Sequence, residues 1–306
     1  MITVVGSLNM DLFMEAARLP APGETVLAKR LRREPGGKGA NQACAAAKMG
    51  TPTTLVGAVG RDAFGDELLR KLAEQGVDTS AVIRRDSAET GTAFIALDDS
   101  GQNLILVAAG ANATLTAADV TAATTAFKDC RAVLTQLESP PEAVAAGLRR
   151  ARQLGALAVL NPAPWTDGAC SDETLRLCDW IIPNEVEAAQ LSGLPVADPE
   201  QAAPAARCLR QRAGGANVAV TLGPQGVWLE TKSFHGHIPA FRVTAVDTVG
   251  AGDTFIGAFV SCLSRQIGPE EAARFGCAAA ALAVTRRGAQ ASIPTRAEVD
   301  EFLARS

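Results

Sequence analysis

Short apolar runs alternate with amphipathic stretches along almost the whole chain. The runs at 4–7, 53–59, 132–137, 156–160, 180–182 and 218–222 are brief and mostly rich in β-branched residues. Between them lie segments of helical period, such as 64–75, where Phe64, Leu68, Leu69 and Leu72 share one face, and 141–154. Strands that alternate with helical segments predict a mostly parallel sheet covered by helices on both faces, an α/β/α sandwich.

Two regions depart from that rhythm. Residues about 10–33 and 91–107 carry alternating stretches with no helix between neighbours. Within the second, 92–97, the turn Asp98-Asp99-Ser100-Gly101 and 103–107 read as a hairpin. The expectation is a single domain spanning 1–306, with a small antiparallel sheet projecting from the main one. Such a sheet is either a lid over a site or an ornament.

Composition narrows the class. A chain of 306 residues that is 47% hydrophobic can bury one large core. A net charge of -4 provides no basic field for nucleic acid, so any phosphate must meet locally concentrated donors and cations. The seven cysteines include no CxxC pair, which argues against a zinc site or disulfide framework and suits a reducing cytosol. The opening Met1-Ile2-Thr3-Val4-Val5-Gly6-Ser7 reads as a strand and not as a leader, and no apolar run is long enough to span a bilayer. The expected location is the cytoplasm.

The strongest chemical signal is Asp247-Thr248-Val249-Gly250-Ala251-Gly252-Asp253-Thr254-Phe255, followed by a helical pattern. Glycines where a helix begins leave backbone N–H groups free to meet an anion, and the helix dipole adds partial positive charge. Asp253 is then either an N-cap or a general base aimed at a hydroxyl beside a bound phosphate. A second glycine segment, Gly36-Gly37-Lys38-Gly39-Ala40-Asn41-Gln42-Ala43, matches neither a Walker loop nor a dinucleotide fingerprint. Its glycines admit close approach of a ligand, and Lys38 and Asn41 carry donors for hydroxyls or phosphate; close packing with a solvated lysine is the plainer alternative.

Asn9 and Asp11 point to one side of an extended chain, a pairing suited to vicinal sugar hydroxyls or to a simple turn. Asn184 and Glu187 follow an apolar strand, where Glu187 is either a water-mediated Mg²⁺ ligand or an ordinary first-turn glutamate. Thr221, Gly223 and Gly226 form another strand-end turn, and Glu138 holds a similar position. His235 and His237, the only histidines, read as a surface strand pair lacking a third metal ligand. No GxSxG elbow is present for nucleophilic catalysis, and no GxGxxG follows the first strand.

Taken in order, the two glycine segments, some two hundred residues apart, resemble the signatures of the PfkB family of carbohydrate kinases. Residues 9–11, 110–112, 136–140, 161–164, 184–187 and 283–292 extend the likeness over essentially the whole chain. The resemblance implies ATP-dependent phosphorylation of a sugar, with a β lid that clasps another subunit's lid in a homodimer. It implies Asp253 as base and Gly250, Ala251 and Gly252 as the anion hole. Sugar contacts would come from Asn9, Asp11, Gly37, Lys38, Asn41 and Glu138. Asn184, Thr221, Gly223 and Gly226, with Gly252, would meet the nucleotide, and Glu187 would join a Mg²⁺ network. A K⁺-type cation would take the Asp247 and Ser292 side chains with carbonyls of Val249, Ala283, Arg286 and Gly288. A nucleotide-base pocket would lie near Gly276-Cys277. The wording of the first signature leans to ribose, phosphorylated at its 5-hydroxyl. Deoxyribose, fructose or nucleoside kinases, or a sugar-binding protein without catalysis, are the alternatives.

Overall fold

The structure is a computed structural model that describes residues 1–166 and 168–306. Its strands are β1 (Ile2–Val5), β2 (Asn9–Glu15), β3 (Arg30–Gly36), β4 (Thr53–Gly60), β5 (Val77–Asp78), β6 (Val82–Arg85), β7 (Gly91–Leu97), β8 (Asn103–Ala108), β9 (Ala132–Thr135), β10 (Leu157–Leu160), β11 (Trp180–Ile181), β12 (Asn217–Thr221), β13 (Val227–Glu230) and β14 (His235–Ile238). Its helices are α1 (Lys38–Lys48), α2 (Ala63–Glu74), α3 (Ala117–Ala122), α4 (Pro141–Leu154), α5 (Asp172–Leu175), α6 (Glu185–Ser192), α7 (Pro199–Arg212), α8 (Ala251–Ser264), α9 (Pro269–Val284), α10 (Ala289–Ser292) and α11 (Arg296–Ala304).

The main sheet runs β14-β13-β12-β11-β10-β9-β1-β4-β5, with β6 also on β4. All pairings from β12 to β5 are parallel, and β13 and β14 add antiparallel strands at one edge. β1 lies between β4 and β9, where the strand order reverses. The crevice beyond the carboxyl ends at such a reversal is where open parallel sheets hold ligands.

The second sheet runs β3-β2-β7-β8. The hairpin of β7 and β8 forms around the expected turn, with Leu97 opposite Asn103. The sheet as a whole is mixed, which corrects the expected antiparallel arrangement: β2 and β7 run parallel, with Asn9 beside Gly91 and Glu15 beside Leu97. Parallel neighbours need a long crossover, and here the chain from β3 to β7 passes through α1, β4, α2, β5 and β6 of the main body.

The core centres on α8, which is buried almost all round, from Asp253 to Ser264. Helices with no polar face belong inside a layered domain. Phe259 stacks on Phe255 at 5.5 Å and meets Trp180 edge-on at 5.0 Å. The helix approaches α1 so closely at Gly257 that a Cβ there would lie 2.4 Å from the Ala45 methyl and 2.7 Å from the Gln42 carbonyl oxygen. Only glycine permits that approach, and it carries the first turn of α8 up to Asn41 and Gln42.

A candidate active site at the sheet crevice

The turn before α8 ends at Gly250, with φ 74°, a left-handed conformation that strains side-chain-bearing residues. Gly250 is the N-cap residue, and no side chain caps the helix. Asp253 therefore does not cap it; it occupies the third helical position, with both carboxylate oxygens engaged elsewhere. Asn41 Nδ2 donates to Oδ2 at 3.0 Å and Gln42 Nε2 donates to Oδ1 at 2.8 Å. Asp253 is 9% exposed. The Ala251 amide donates to the Thr248 carbonyl at 3.2 Å. Among the described residues no acceptor meets the amides of Gly252 and Asp253. A Cβ on Gly252 would touch nothing within 4 Å. The opening of α8 thus presents free donors to open space, with a carboxylate beside them.

The side chains beyond β1 gather opposite. Ser7 Oγ and the Lys38 amide both donate to one oxygen of Glu138, at 2.5 and 3.0 Å. Asn9 accepts through Oδ1 from Asn112 at 2.8 Å, and Asn112 is itself tied to both backbone groups of Leu8. The Asn9 amide nitrogen is left as a directed donor. Asp11, on β2, packs its carboxyl against Gly36. Burial, with Glu138, Glu34 and Asp253 nearby, pushes that carboxyl up to about 7. Gly37 is the N-cap of α1, with φ 88°. Burial alone would lower the Lys38 ammonium, but Asp253, Glu138 and Glu187 outweigh it and raise its pKa. These couplings mark Asp11, Lys38, Glu138, Glu187 and Asp253 as one electrostatic cluster.

At the neighbouring strand ends, Asn184 caps α6 and forms a reciprocal capping box with Glu187. Both Glu187 oxygens accept from Asn184, at 2.9 and 3.0 Å. The first-turn role is realised, and burial raises the carboxyl despite the Asn184 amide and Lys38. Thr221 pairs with Asn184 in an isolated bridge, its amide donating to the Pro183 carbonyl at 2.9 Å. Gly223 opens the turn that follows, and Gly226, with φ 103°, closes it. Asn184, Thr221, Gly223 and Gly226 thus lie together beyond the carboxyl ends of β11 and β12.

Asp247 draws its own loop together, accepting from the amides of Val249 at 3.0 Å and Gly288 at 2.9 Å. Ala283 and Arg286 join in the turn after α9, where the Arg286 amide donates to the Ala283 carbonyl. The Ser292 hydroxyl is buried and donates to the Ala289 carbonyl at 3.0 Å. Among the described residues no cluster of three or more His, Cys, Asp or Glu forms a metal-binding group. Gly276 packs against the Phe255 ring and Cys277 is buried beside it, inside the contact of α8 and α9. His235 pairs with Glu230 and His237 with the Gln225 carbonyl, so each histidine of β14 has its own partner.

Four amide side chains complete the site without any role read from the sequence: Gln42, Gln136, Asn161 and Gln290. Each lies inside a segment singled out there. An uncharged amide has no sequence signal that separates a committed internal hydrogen bond from a solvated one.

The family profile described as pfkB family carbohydrate kinase matches residues 1–296. A ribokinase of Haemophilus influenzae is 42% identical over 304 residues, which span 99% of this chain and 98% of that protein. A deoxyribokinase of Salmonella typhi is 36% identical over 302 residues, 99% of this chain and 98% of its own. A solved structure of Arabidopsis thaliana ribokinase complexed with ribose and ATP superposes with a TM-score of 0.90 at 32% identity, covering 99% of this chain and 98% of that one. The free amides opening α8, the clamped acid beside them and the polar cluster beyond β1 therefore sit in a sequence that one family matches over residues 1–296: the chain belongs to the pfkB family of carbohydrate kinases.

Proposed function

We propose that this chain transfers the γ-phosphoryl group of ATP to the 5-hydroxyl of D-ribose, giving ribose 5-phosphate and ADP. The observation that carries the reading is the juxtaposition at the start of α8. Free amides face open space, and Asp253 is held beside them and coupled to Asp11 and Lys38. Phosphoryl transfer demands positioning and charge stabilisation above all. In this reading Asn9, Asp11, Gly37, Lys38, Asn41 and Glu138 orient the sugar. Asp253 takes the hydroxyl proton as the oxygen attacks phosphorus. The turn Gly250–Ala251–Gly252 receives the charge that develops on the transferring group, one such donor being worth about 3 kcal/mol. Asn184, Thr221, Gly223 and Gly226 border the nucleotide.

Four carboxyl groups face a single ammonium in this cluster, so triphosphate binding needs added positive charge. Mg²⁺ suits that demand because it keeps much of its water. Glu187, with each oxygen already accepting a hydrogen bond, would hold it through water and so neutralise the phosphates. A K⁺-type ion would be held by Asp247 with the carbonyls of Val249, Ala283, Arg286 and Gly288 and by Ser292. It would act by stiffening the loop that leads into Gly250.

The sheet β3-β2-β7-β8 serves as the lid, excluding water that would compete with the sugar. Its edge strand β8 leaves Leu104, Ile105, Leu106 and Val107 exposed. An apolar edge of this kind calls for a partner, and we assign a second copy of the chain, lid against lid. No helix among the described residues is long and apolar enough to cross a membrane, and a reaction that consumes ATP suits the cytoplasm.

The decisive experiment is a coupled ADP assay with ribose, deoxyribose, fructose and nucleosides, with and without Mg²⁺ and K⁺. Ribose is expected to give the highest kcat/KM, with activity dependent on Mg²⁺ and raised by K⁺. A preference for deoxyribose would reassign the acceptor. Sugar binding without any ADP would make the chain a sensor, and a flat response to K⁺ would remove the cation site.

A further inference from the structure

Gln42 is fully buried on the second turn of α1. Its amide group makes three hydrogen bonds, and their directions leave one orientation. Nε2 donates to Asp253 Oδ1 at 2.8 Å and to Asn161 Oδ1 at 3.0 Å. Oε1 accepts from Gln136 Nε2 at 2.6 Å. Asn161 is oriented in turn, because its Nδ2 donates to the Ile182 carbonyl at 2.8 Å. A flipped Gln42 would set its carbonyl against a carboxylate and against the Asn161 oxygen. The anchors come from the ends of three adjacent strands: Gln136 just after β9, Asn161 just after β10 and Ile182 just after β11. Gln136 gives its NH₂ to Gln42 although its own Oε1 remains buried with no partner. A second, shorter arm reaches the other carboxylate oxygen, where Asn41 donates to Asp253 and accepts from Gln290 at 3.1 Å.

We infer that Gln42, braced by Gln136 and Asn161, is a positioning residue for the base: it sets the plane of the Asp253 carboxylate. A carboxylate has about four acceptor directions. Amide donors occupy one on each oxygen, which fixes the carboxylate and leaves the other directions free for a sugar hydroxyl. Gln42 itself does not touch the substrate; it ties the base, on α8, to the parallel sheet. The charged neighbours of Asp253 (Asp11, Lys38 and Glu187) stay unchanged in the variants below, so a change in its titration reports the lost donor. The inference rests on Asp253 being the base of the reaction proposed above.

The test compares wild type with Gln42→Leu, Asn161→Ala and the double variant, measuring kcat and KM for ribose and ATP from pH 5 to 9, with thermal unfolding in parallel. For Gln42→Leu, kcat is expected to fall roughly 30-fold with both KM values within about twofold. The acid limb of the kcat–pH profile should move up, because the carboxylate has lost a donor. Asn161→Ala should lose about fivefold in kcat, and the double variant should be no worse than Gln42→Leu, since both act through one path. A kcat within twofold of wild type, or losses that multiply with an unmoved acid limb, would reduce Gln42 to packing and overturn the inference. If Gln42→Leu fails to fold, Asn161→Ala and Gln136→Leu decide by the same two readouts: a kcat loss with a shifted limb supports the brace, and neither change overturns it. Asp253→Asn separates the two levels. An active Asp253→Asn sinks the base itself, whereas an inactive one alongside a normal Gln42→Leu sinks only the brace.

Discussion

The carboxylate cradle around Asp253 and the β3-β2-β7-β8 sheet both border the crevice, and they are built in opposite ways. In the cradle, each side-chain polar atom of Gln42 and Asp253 has an amide partner, and α1 and α8 meet backbone against methyl at Gly257. The second sheet has a small apolar cluster of its own, Phe13, Ala93 and Ile95 with Leu97 alongside, and its outer strand β8 is exposed throughout. Packed polar networks hold geometry, while sparsely packed elements open at low free energy. The contrast fits a reaction that needs a fixed base and a cover that admits substrate.

The largest expected effect lies in the cradle. Asp253→Asn should fold and bind sugar but lose roughly 10²-fold or more in turnover; near-normal turnover by ADP assay would remove the residue from its role. Next comes the core beneath it. Phe259→Ala should cost about 3–5 kcal/mol of global stability in urea unfolding. Ile95→Ala in the lid should leave the main transition nearly in place; equal losses would erase the distinction between the regions.

Asp11 joins the two, lying on a lid strand within the cluster. Its carboxyl, held at about 7 against an ordinary 3.8, stays protonated in the folded protein over a window where the unfolded chain has already ionised. The folded state therefore binds the extra proton, and Asp11 lowers stability progressively as pH rises from 3.8 to about 7, with no further change above. Asp11→Asn should match wild type near the bottom of that window. It should gain on wild type through the window, by at most about 4 kcal/mol less what residual solvent access removes. A stability difference between the two proteins that is independent of pH would place the carboxyl in its ordinary range.

The smallest effect on the single chain belongs to the lid edge. Leu106→Glu, at a position 62% exposed, should change monomer stability by less than about 0.5 kcal/mol. It should shift sedimentation from dimer to monomer. A dimer that survives would move the interface away from β8.

Periodicity in the chain sufficed for the strand–helix alternation and for the hairpin, because both depend on local patterns of burial and on turn chemistry. It also located the helix that starts at Gly250. Three outcomes depended on contacts distant in sequence. The parallel pairing of β2 with β7 arises from a crossover through the main body, which no local pattern reveals. Asp253 was open between cap and base; its removal from the cap position follows from where Gly250 ends the turn and from amides some 210 residues earlier. The buried brace on Gln42 joins residues from the ends of β9 and β10, 94 and 119 positions further along the chain.

What the amino-acid sequence determined by itself was the layered parallel fold, the family, and the segments from which a site is assembled. Glycine spacing and apolar period act over a few residues, and those are the scales a single chain displays. The tertiary structure alone decided which amides turn inward to hold the acid and which acids share one field. Hydrogen-bond direction and burial are set by neighbours that the fold brings together from opposite ends of the chain.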